Sequence, residues 1–124
     1  MRGLLITRKF AVGAALLFFI HSSVVLAEVK TGLFVKYLQV SQGSSRAFMQ
    51  FSTSENGSAG AYTFNTGCQY NHSLILDTGT LDGKNMYALL LSASVTKQPL
   101  EVNAGGTCTS GFPRLLEIAF GSYP

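Results

Sequence analysis

The sequence has few of the residues from which catalytic and metal sites are built. Among 124 residues it has two histidines and two cysteines, and His21 falls in the N-terminal segment described next. A hydrolytic triad needs a base beside its nucleophile, and a zinc site needs clustered Cys and His ligands. Gly105-Gly106 is followed by Thr-Cys and lacks the lysine of a phosphate-binding loop. We therefore predict no enzyme activity, no metal and no cofactor; a small hydrolase is the weakest alternative.

The sequence also lacks an uninterrupted apolar run long enough to span a membrane. Basic residues in the first nine positions precede the apolar stretch Phe10 to Ile20, and Val25-Leu26-Ala27 ends in small residues. This is the pattern of a signal peptide cleaved before Glu28, whereas a span needs roughly 18 or more apolar residues. We predict a signal peptide over residues 1–27, a single domain over 28–124, and a periplasmic or secreted protein without a membrane span.

Clustered positive charge is absent as well. Three of the nine Lys and Arg residues lie in the predicted signal peptide, which leaves six basic against six acidic residues in the mature chain. Proteins that bind nucleic acid carry a basic patch or stripe that neutralises phosphates. The six remaining basic residues are scattered along the chain, so we expect no nucleic-acid partner.

Cys68 and Cys108 are the two cysteines of the chain. An even pair in an exported protein favours a disulfide. A metal site is the competing interpretation of paired cysteines, but the mature chain has the single histidine His72 and no C-x-x-C spacing. We predict a Cys68–Cys108 disulfide that stabilises a domain with a small core.

The apolar patterning predicts a mainly β protein with one helix, in the order β-β-β-α-β-β. Clean alternation marks Leu100 to Ala104, and a core face shared by Leu116, Ile118 and Phe120 marks the last strand. This order is that of the OB-fold, a small five-stranded barrel with a helix between its third and fourth strands; an α+β sandwich is the alternative. The other predicted strands are Leu33 to Val40, Ala47 to Ser52 and Ser73 to Asp77, and Thr53 to Gly60 is predicted to be a loop. The predicted helix is capped by Asp82 or Thr80 and ends near Lys97. Ala61 to Phe64 is either a strand or extended chain.

The helix carries no charge from Asn85 to Thr96, and apolar residues cover most of its circumference. One stripe, Met86, Leu89, Leu90 and Ala93, suits a core. A second stripe, Tyr87, Leu91 and Val95, lies on another side of the helix, and a small domain has no second layer to cover it. We predict that copies of the chain associate through this stripe; the alternative is that loops such as Thr53 to Gly60 cover it.

Aromatic and hydrogen-bonding residues cluster near Cys68 in the sequence. Tyr62, Gln69, Tyr70, Asn71 and His72 combine aromatic faces with amide and imidazole groups, the mixture that sugar rings and hydroxyls require. We predict that these five residues form a ligand site. The alternative is that they are solvated, turn-forming residues.

The stretch YALLLSASVTKQPLEV, from Tyr87 to Val102, together with the signal peptide, the domain length and the element order, resembles the B subunits of subtilase-cytotoxin-like and pertussis-like bacterial toxins. The resemblance implies an exported OB-fold that forms a ring of five around central helices, binds cell-surface glycans that are often sialylated, and carries a catalytic A subunit. The first strand, GLFVKYLQV, has no serine to take the sialic-acid contact of the subtilase type, so no glycan-contact residue is transferred.

These observations together predict an exported, non-enzymatic binding module that self-associates through its helix and recognises carbohydrate. The alternative function is that of a structural or inhibitory envelope protein that binds another protein.

Overall fold

The structure is a computed structural model that describes residues 26–121. It is mainly β with one helix, in the predicted order β-β-β-α-β-β. The predicted signal peptide lies outside the described residues apart from Leu26 and Ala27. No helix in the described part of the chain is long and apolar enough to cross a membrane. The elements are β1 (Glu28–Val40), β2 (Arg46–Ser52), β3 (Leu74–Asp77), α1 (Leu81–Thr96), β4 (Leu100–Thr109) and β5 (Phe112–Phe120).

The five strands form one sheet that closes on itself in the order β1-β2-β3-β5-β4. Strand β1 makes this closure because it has 13 residues: its C-terminal half pairs with β2 and its N-terminal half with β4, both antiparallel. Strands β3 and β5 are parallel and are paired at a single position, Ile75 with Arg114. The β3–β5 pair therefore has the fewest paired residues of any two neighbouring strands in the sheet.

Three strands differ from the sequence prediction. Strand β4 continues to Thr109, five residues beyond the predicted end at Ala104. Strand β1 begins at Glu28 rather than Leu33, because Glu28 to Lys30 pair with Val102 to Ala104 of β4. In β5 the fully buried leucine is Leu115, at 3 % exposure, and Phe120 is exposed. The prediction that Leu116, Ile118 and Phe120 share one face of β5 was therefore wrong. Ala104 pairs with Leu115 and Asn103 pairs with Glu117, so Leu116 is an extra residue in a bulge, which interrupts the alternation of the strand.

The alternation predicted for β2 is present, and every second side chain of this strand points into the interior of the closed sheet. Ala47, Met49 and Phe51 are fully buried, as expected when every second residue of a strand faces the core. Phe64, from the connection between β2 and β3, packs edge-to-face on Phe51 with ring centroids 6.2 Å apart. Residues Ala61 to Phe64 form no strand and reach the core as extended chain.

Helix α1 begins after Thr80, whose Oγ1 accepts a hydrogen bond from the backbone N–H of Gly83 at 3.0 Å. It ends where Lys97 adopts a left-handed conformation with φ of 54°, two residues before Pro99. Leu90 and Ala93 are buried, and Met86 packs against the same core. Three of the four residues of the first apolar stripe therefore cover the interior of the sheet. Leu89 is only half-buried, and Tyr87, which was predicted for the second stripe, packs against the core as well.

The structure contains the predicted disulfide between Cys68 and Cys108, with the two Cα atoms 5.7 Å apart. It ties the 21-residue connection over residues 53–73 to strand β4. Asn71 stabilises the same corner, since its Oδ1 accepts a hydrogen bond from Thr66 Oγ1 and its Nδ2 donates to the carbonyl oxygen of Cys68 at 2.9 Å. The segment that contains Tyr70 is thereby held against the sheet.

Candidate binding surface

The outward face of β1 and β2 carries aromatic and amide side chains. Because Ala47, Met49 and Phe51 point inward, the intervening Phe48 and Gln50 point outward. Their partners across the β1–β2 ladder are Gln39 and Tyr37, which share that face. Tyr37 donates its phenolic hydrogen to Gln39 Oε1 at 2.8 Å, so neighbouring polar groups on this face already orient one another.

Three aromatic rings meet at one end of this face. Phe112, at the start of β5, packs edge-to-face on Phe48 with centroids 5.2 Å apart. Tyr70 also contacts Phe112, with centroids 4.9 Å apart and planes tilted by 31°. We call Phe48, Tyr70 and Phe112 the aromatic cluster. Tyr70 is its most accessible member, with 39 % of its surface exposed.

The turn between β4 and β5 sets the position of Tyr70. Its backbone N–H donates to the carbonyl oxygen of Gly111 at 2.9 Å. A Cβ atom at position 111 would lie 3.0 Å from the Tyr70 ring, and Gly111 also has a φ of +84°, which side chains other than glycine rarely adopt. The close approach of ring and turn therefore requires glycine there.

Polar groups surround the aromatic cluster. Gln50 Nε2 donates to Ser73 Oγ at 3.0 Å, beside the outward face of β2. A hollow of about 210 Å³ is lined by Ser45, Arg46, Ile75, Asp77, Thr109 and Arg114. None of these is a cluster residue, but Ile75 pairs with Phe48 and Thr109 pairs with Phe112 across the sheet. Two arginines and one aspartate therefore line a hollow close in the sheet to the aromatic cluster, a combination that can bind a polar ligand with an apolar face.

Of the five predicted ligand residues, Gln69, Tyr70 and His72 are exposed. Gln69 and Tyr70 both approach the Gly111 turn, and the Cβ of Gln69 would lie 3.5 Å from a Cβ at position 111. Asn71 is half-buried and uses its side-chain amide to hold the disulfide corner. The structure therefore brings Gln69 and Tyr70 together at the turn, leaves His72 exposed two residues further on, and gives Asn71 an internal role.

Tyr62 has different neighbours. Its ring packs edge-to-face on Phe64 with centroids 4.9 Å apart, and Lys30 Nζ lies 5.6 Å from the ring centroid. Its hydroxyl donates a hydrogen bond to the carboxylate of Glu28. This bond, with burial and the negative charge of Glu28, raises the pKa of Tyr62 to about 12. The phenol is thus engaged with β1, and none of its described contacts is with the aromatic cluster.

Sequence reasoning missed Phe48, Phe112, Arg46 and Arg114. Phe48 carried a usable signal, since an aromatic residue at an outward position of an alternating strand has no core to fill. Phe112 carried none, because it meets Phe48 only through the parallel crossing of β3 and β5. Long-range pairing of this kind is not visible in local periodicity.

A second surface lies on α1. Ala88, Leu91, Ser92 and Val95 follow the i, i+3, i+4, i+7 spacing of one helix face, and all four are exposed. Leu91 is 43 % and Val95 is 81 % exposed, whereas Tyr87 is half-buried and packs against the core. We call Ala88, Leu91, Ser92 and Val95 the exposed helix face. The described loops leave Leu91 and Val95 accessible.

Within residues 26–121 there is no group of three or more His, Cys, Asp or Glu side chains that could hold a metal ion. Comparison of the chain with protein-family models, with curated protein sequences and with solved structures gives no match.

Proposed function

We propose that the protein is an exported, non-enzymatic binding module with the OB-fold, which self-associates and recognises carbohydrate. The observation that carries the proposal is the aromatic cluster on the outward face of β2, with Tyr70 exposed above it. The strand order β1-β2-β3-β5-β4 and a helix between β3 and β4 support the OB-fold. OB-folds bind oligonucleotides and oligosaccharides through the face of their second and third strands and adjacent loops.

The chemistry of the surface favours a sugar over a nucleic acid. The mature chain has equal numbers of basic and acidic residues, whereas binding to a phosphate backbone needs an excess of positive charge. A pyranose ring presents an apolar face that can stack on Tyr70 and hydroxyls that can bond to amide groups such as those of Gln50 and Gln69. We therefore assign the carbohydrate site to the aromatic cluster and its polar surroundings.

Replacement of Tyr70 by alanine tests this site. We expect a glycan array to identify a ligand for the wild-type protein, and calorimetry to show that Tyr70→Ala binds it at least about tenfold more weakly, because stacking on an aromatic ring contributes about 1 kcal/mol or more. Tyr62→Phe is the matched control, since it keeps a ring at the other predicted position and should leave affinity unchanged. Absence of glycan binding, or full affinity in Tyr70→Ala, would refute the assignment.

The exposed helix face supports self-association. Each large apolar side chain left in water forgoes about 1.5–3 kcal/mol relative to full burial, and Leu91 and Val95 are covered only in part by the described chain. A second copy can supply that cover, and the resemblance to toxin B subunits implies a ring of five with a catalytic A subunit as its partner. The same face could instead bind a different protein. The exposure of Leu91 and Val95 therefore also favours the second candidate, a structural or inhibitory envelope protein that binds another protein.

Native mass spectrometry separates these two candidates. We expect the wild-type protein to have the mass of a homo-oligomer and Leu91→Asp to have the mass of a monomer, because a charge at the interface would be buried without a partner. Ser94→Asp adds the same charge to the same helix, about 110° from the centre of the exposed helix face at 100° per residue, and should leave the oligomer intact. A wild-type monomer would contradict self-association.

Two further features support the proposal that the protein is exported. The disulfide suits an oxidising compartment, and β1 begins at Glu28, the residue that follows the predicted cleavage point. Cleavage there would remove no residue of the sheet, so the proposed mature protein is periplasmic or secreted.

A further inference from the structure

A cleft of about 580 Å³ lies between β3, β5 and the first half of α1, in a different place from the aromatic cluster. It opens because the parallel strands β3 and β5 are paired only at Ile75 and Arg114. Strand β3 ends at Asp77, three residues after Leu74, while β5 continues to Phe120. The segment Leu116 to Phe120 therefore runs past the end of its neighbour.

This segment is an unpaired sheet edge. Strand β5 pairs with β4 along its other edge as far as Phe120, but on the β3 side no strand within residues 26–121 pairs with residues 116–120. In the described chain, none of the backbone hydrogen bonds outside helices and strands involves these residues. Backbone groups of an edge strand are a ready template for pairing with another extended chain.

The walls of the cleft define what could pair there. Its apolar lining consists of Ile75, Leu76, Met86, Leu115, Leu116 and Ile118. Its charged groups are the carboxylates of Asp77, Asp82 and Glu117 and the guanidinium of Arg114, a formal excess of two negative charges. An occupant that matches these walls has alternating apolar and basic side chains on an extended backbone.

We propose that this cleft binds an extended peptide segment of a partner protein, rich in lysine or arginine, as an additional strand on β5. Main-chain hydrogen bonds to residues 116–120 give the affinity, and the acidic side chains select the basic residues. The segment Leu116 to Phe120 spans about 13 Å at about 3.3 Å per residue, which accommodates about five residues of the peptide.

A second copy of this chain fits the cleft less well. Two-fold pairing of β5 with β5 would bring the Glu117 side chains and the acidic cleft walls of both copies together, and like charges that face each other across an interface are unfavourable. A basic segment instead neutralises them. The cleft shares Ile75, Asp77 and Arg114 with the hollow described above but contains none of the rings of the aromatic cluster and none of the residues of the exposed helix face. The proposal therefore goes beyond both the carbohydrate site and the helix face.

The test uses a fluorescent, end-blocked pentapeptide, Val-Lys-Val-Lys-Val, with the protein purified from cells that express the full chain. We expect saturable binding by anisotropy, at least tenfold weaker binding of the Val-Glu-Val-Glu-Val peptide, and slower hydrogen exchange at the amides of residues 116–120. Glu117→Lys should weaken binding of the lysine peptide at least tenfold. Asp82→Lys, on the exposed first turn of α1, is a second variant if Glu117→Lys does not fold.

Glu55→Lys is the matched control, because it makes the same charge change on the exposed loop over residues 53–60 and should not change peptide affinity. The proposal is overturned if the lysine peptide does not bind, if both peptides bind equally, or if the folded Glu117→Lys protein binds with full affinity. It is also overturned if Glu117→Lys changes the native mass, since the edge would then hold a second copy. Tyr70→Ala and Leu91→Asp should keep full peptide binding, so failure here is distinct from failure of the proposed function.

Discussion

Replacement of both Cys68 and Cys108 by serine is expected to lower the free energy of unfolding by about 4 kcal/mol. The disulfide joins residues 40 positions apart, and closure of a loop of that length removes conformational entropy from the unfolded chain by roughly this amount. Small domains have a total stability of about 5–15 kcal/mol, so the variant loses a large part of it. Urea titration followed by circular dichroism measures the change.

The same substitution is expected to affect the aromatic cluster more than the rest of the sheet. Tyr70 follows Cys68 by two residues, and its position depends on the connection that the disulfide ties to β4. Wild-type protein under reducing conditions should match the double variant in both stability and glycan affinity. A stability loss below about 1 kcal/mol in the double variant would show that Asn71 and the packing of Phe64 hold this connection without the disulfide.

Much of the fold could be predicted from sequence because its signals are local. The alternation of Ala47, Met49 and Phe51 and the apolar period of α1 arise from residues a few positions apart, and the structure has both elements. The helix end follows from Pro99, which disfavours helical geometry just before it. The disulfide followed from two cysteines in a chain with a predicted signal peptide.

The features that escaped prediction depend on pairing between distant segments. The early start of β1 at Glu28 requires β4 as its partner, and the bulge at Leu116 is a property of the β4–β5 register. The same limit applies to the site. Tyr70 was predicted from its own neighbours, but Phe48 and Phe112 join it only because β3 pairs with β2 on one side and with β5 on the other.

The cleft between β3 and β5 has the same origin. A strand of four residues that crosses a strand of nine leaves part of the longer one uncovered. Nothing in the local sequence of β5 marks it as an edge, because its apolar residues are those of any half-buried strand. The edge is visible only once the strand order is known.

Gly83→Ala is expected to be the most destabilising single substitution, by about 2–5 kcal/mol, because α1 and β3 touch at this residue. A Cβ at Gly83 would lie 1.6 Å from the carbonyl oxygen of Asp77 and 2.8 Å from its carbonyl carbon. Both are backbone atoms at the end of β3, so no rotation of a side chain relieves the overlap, and the first turn of α1 must move away.

That movement outweighs what alanine gains in the helix. Alanine is favoured over glycine in a helix interior by about 1 kcal/mol. Displacement of the first turn, however, breaks the Thr80 cap, which contributes about 1 kcal/mol. It also pulls Leu90 out of a fully buried position, and the lost packing costs a further 2–5 kcal/mol. Urea titration measures the difference. Asn85→Ala is the control, since it raises helix propensity at an exposed position and should stabilise the protein slightly. Wild-type stability in Gly83→Ala would mean that α1 does not rest on Asp77, and the cleft beside it would then have a different shape.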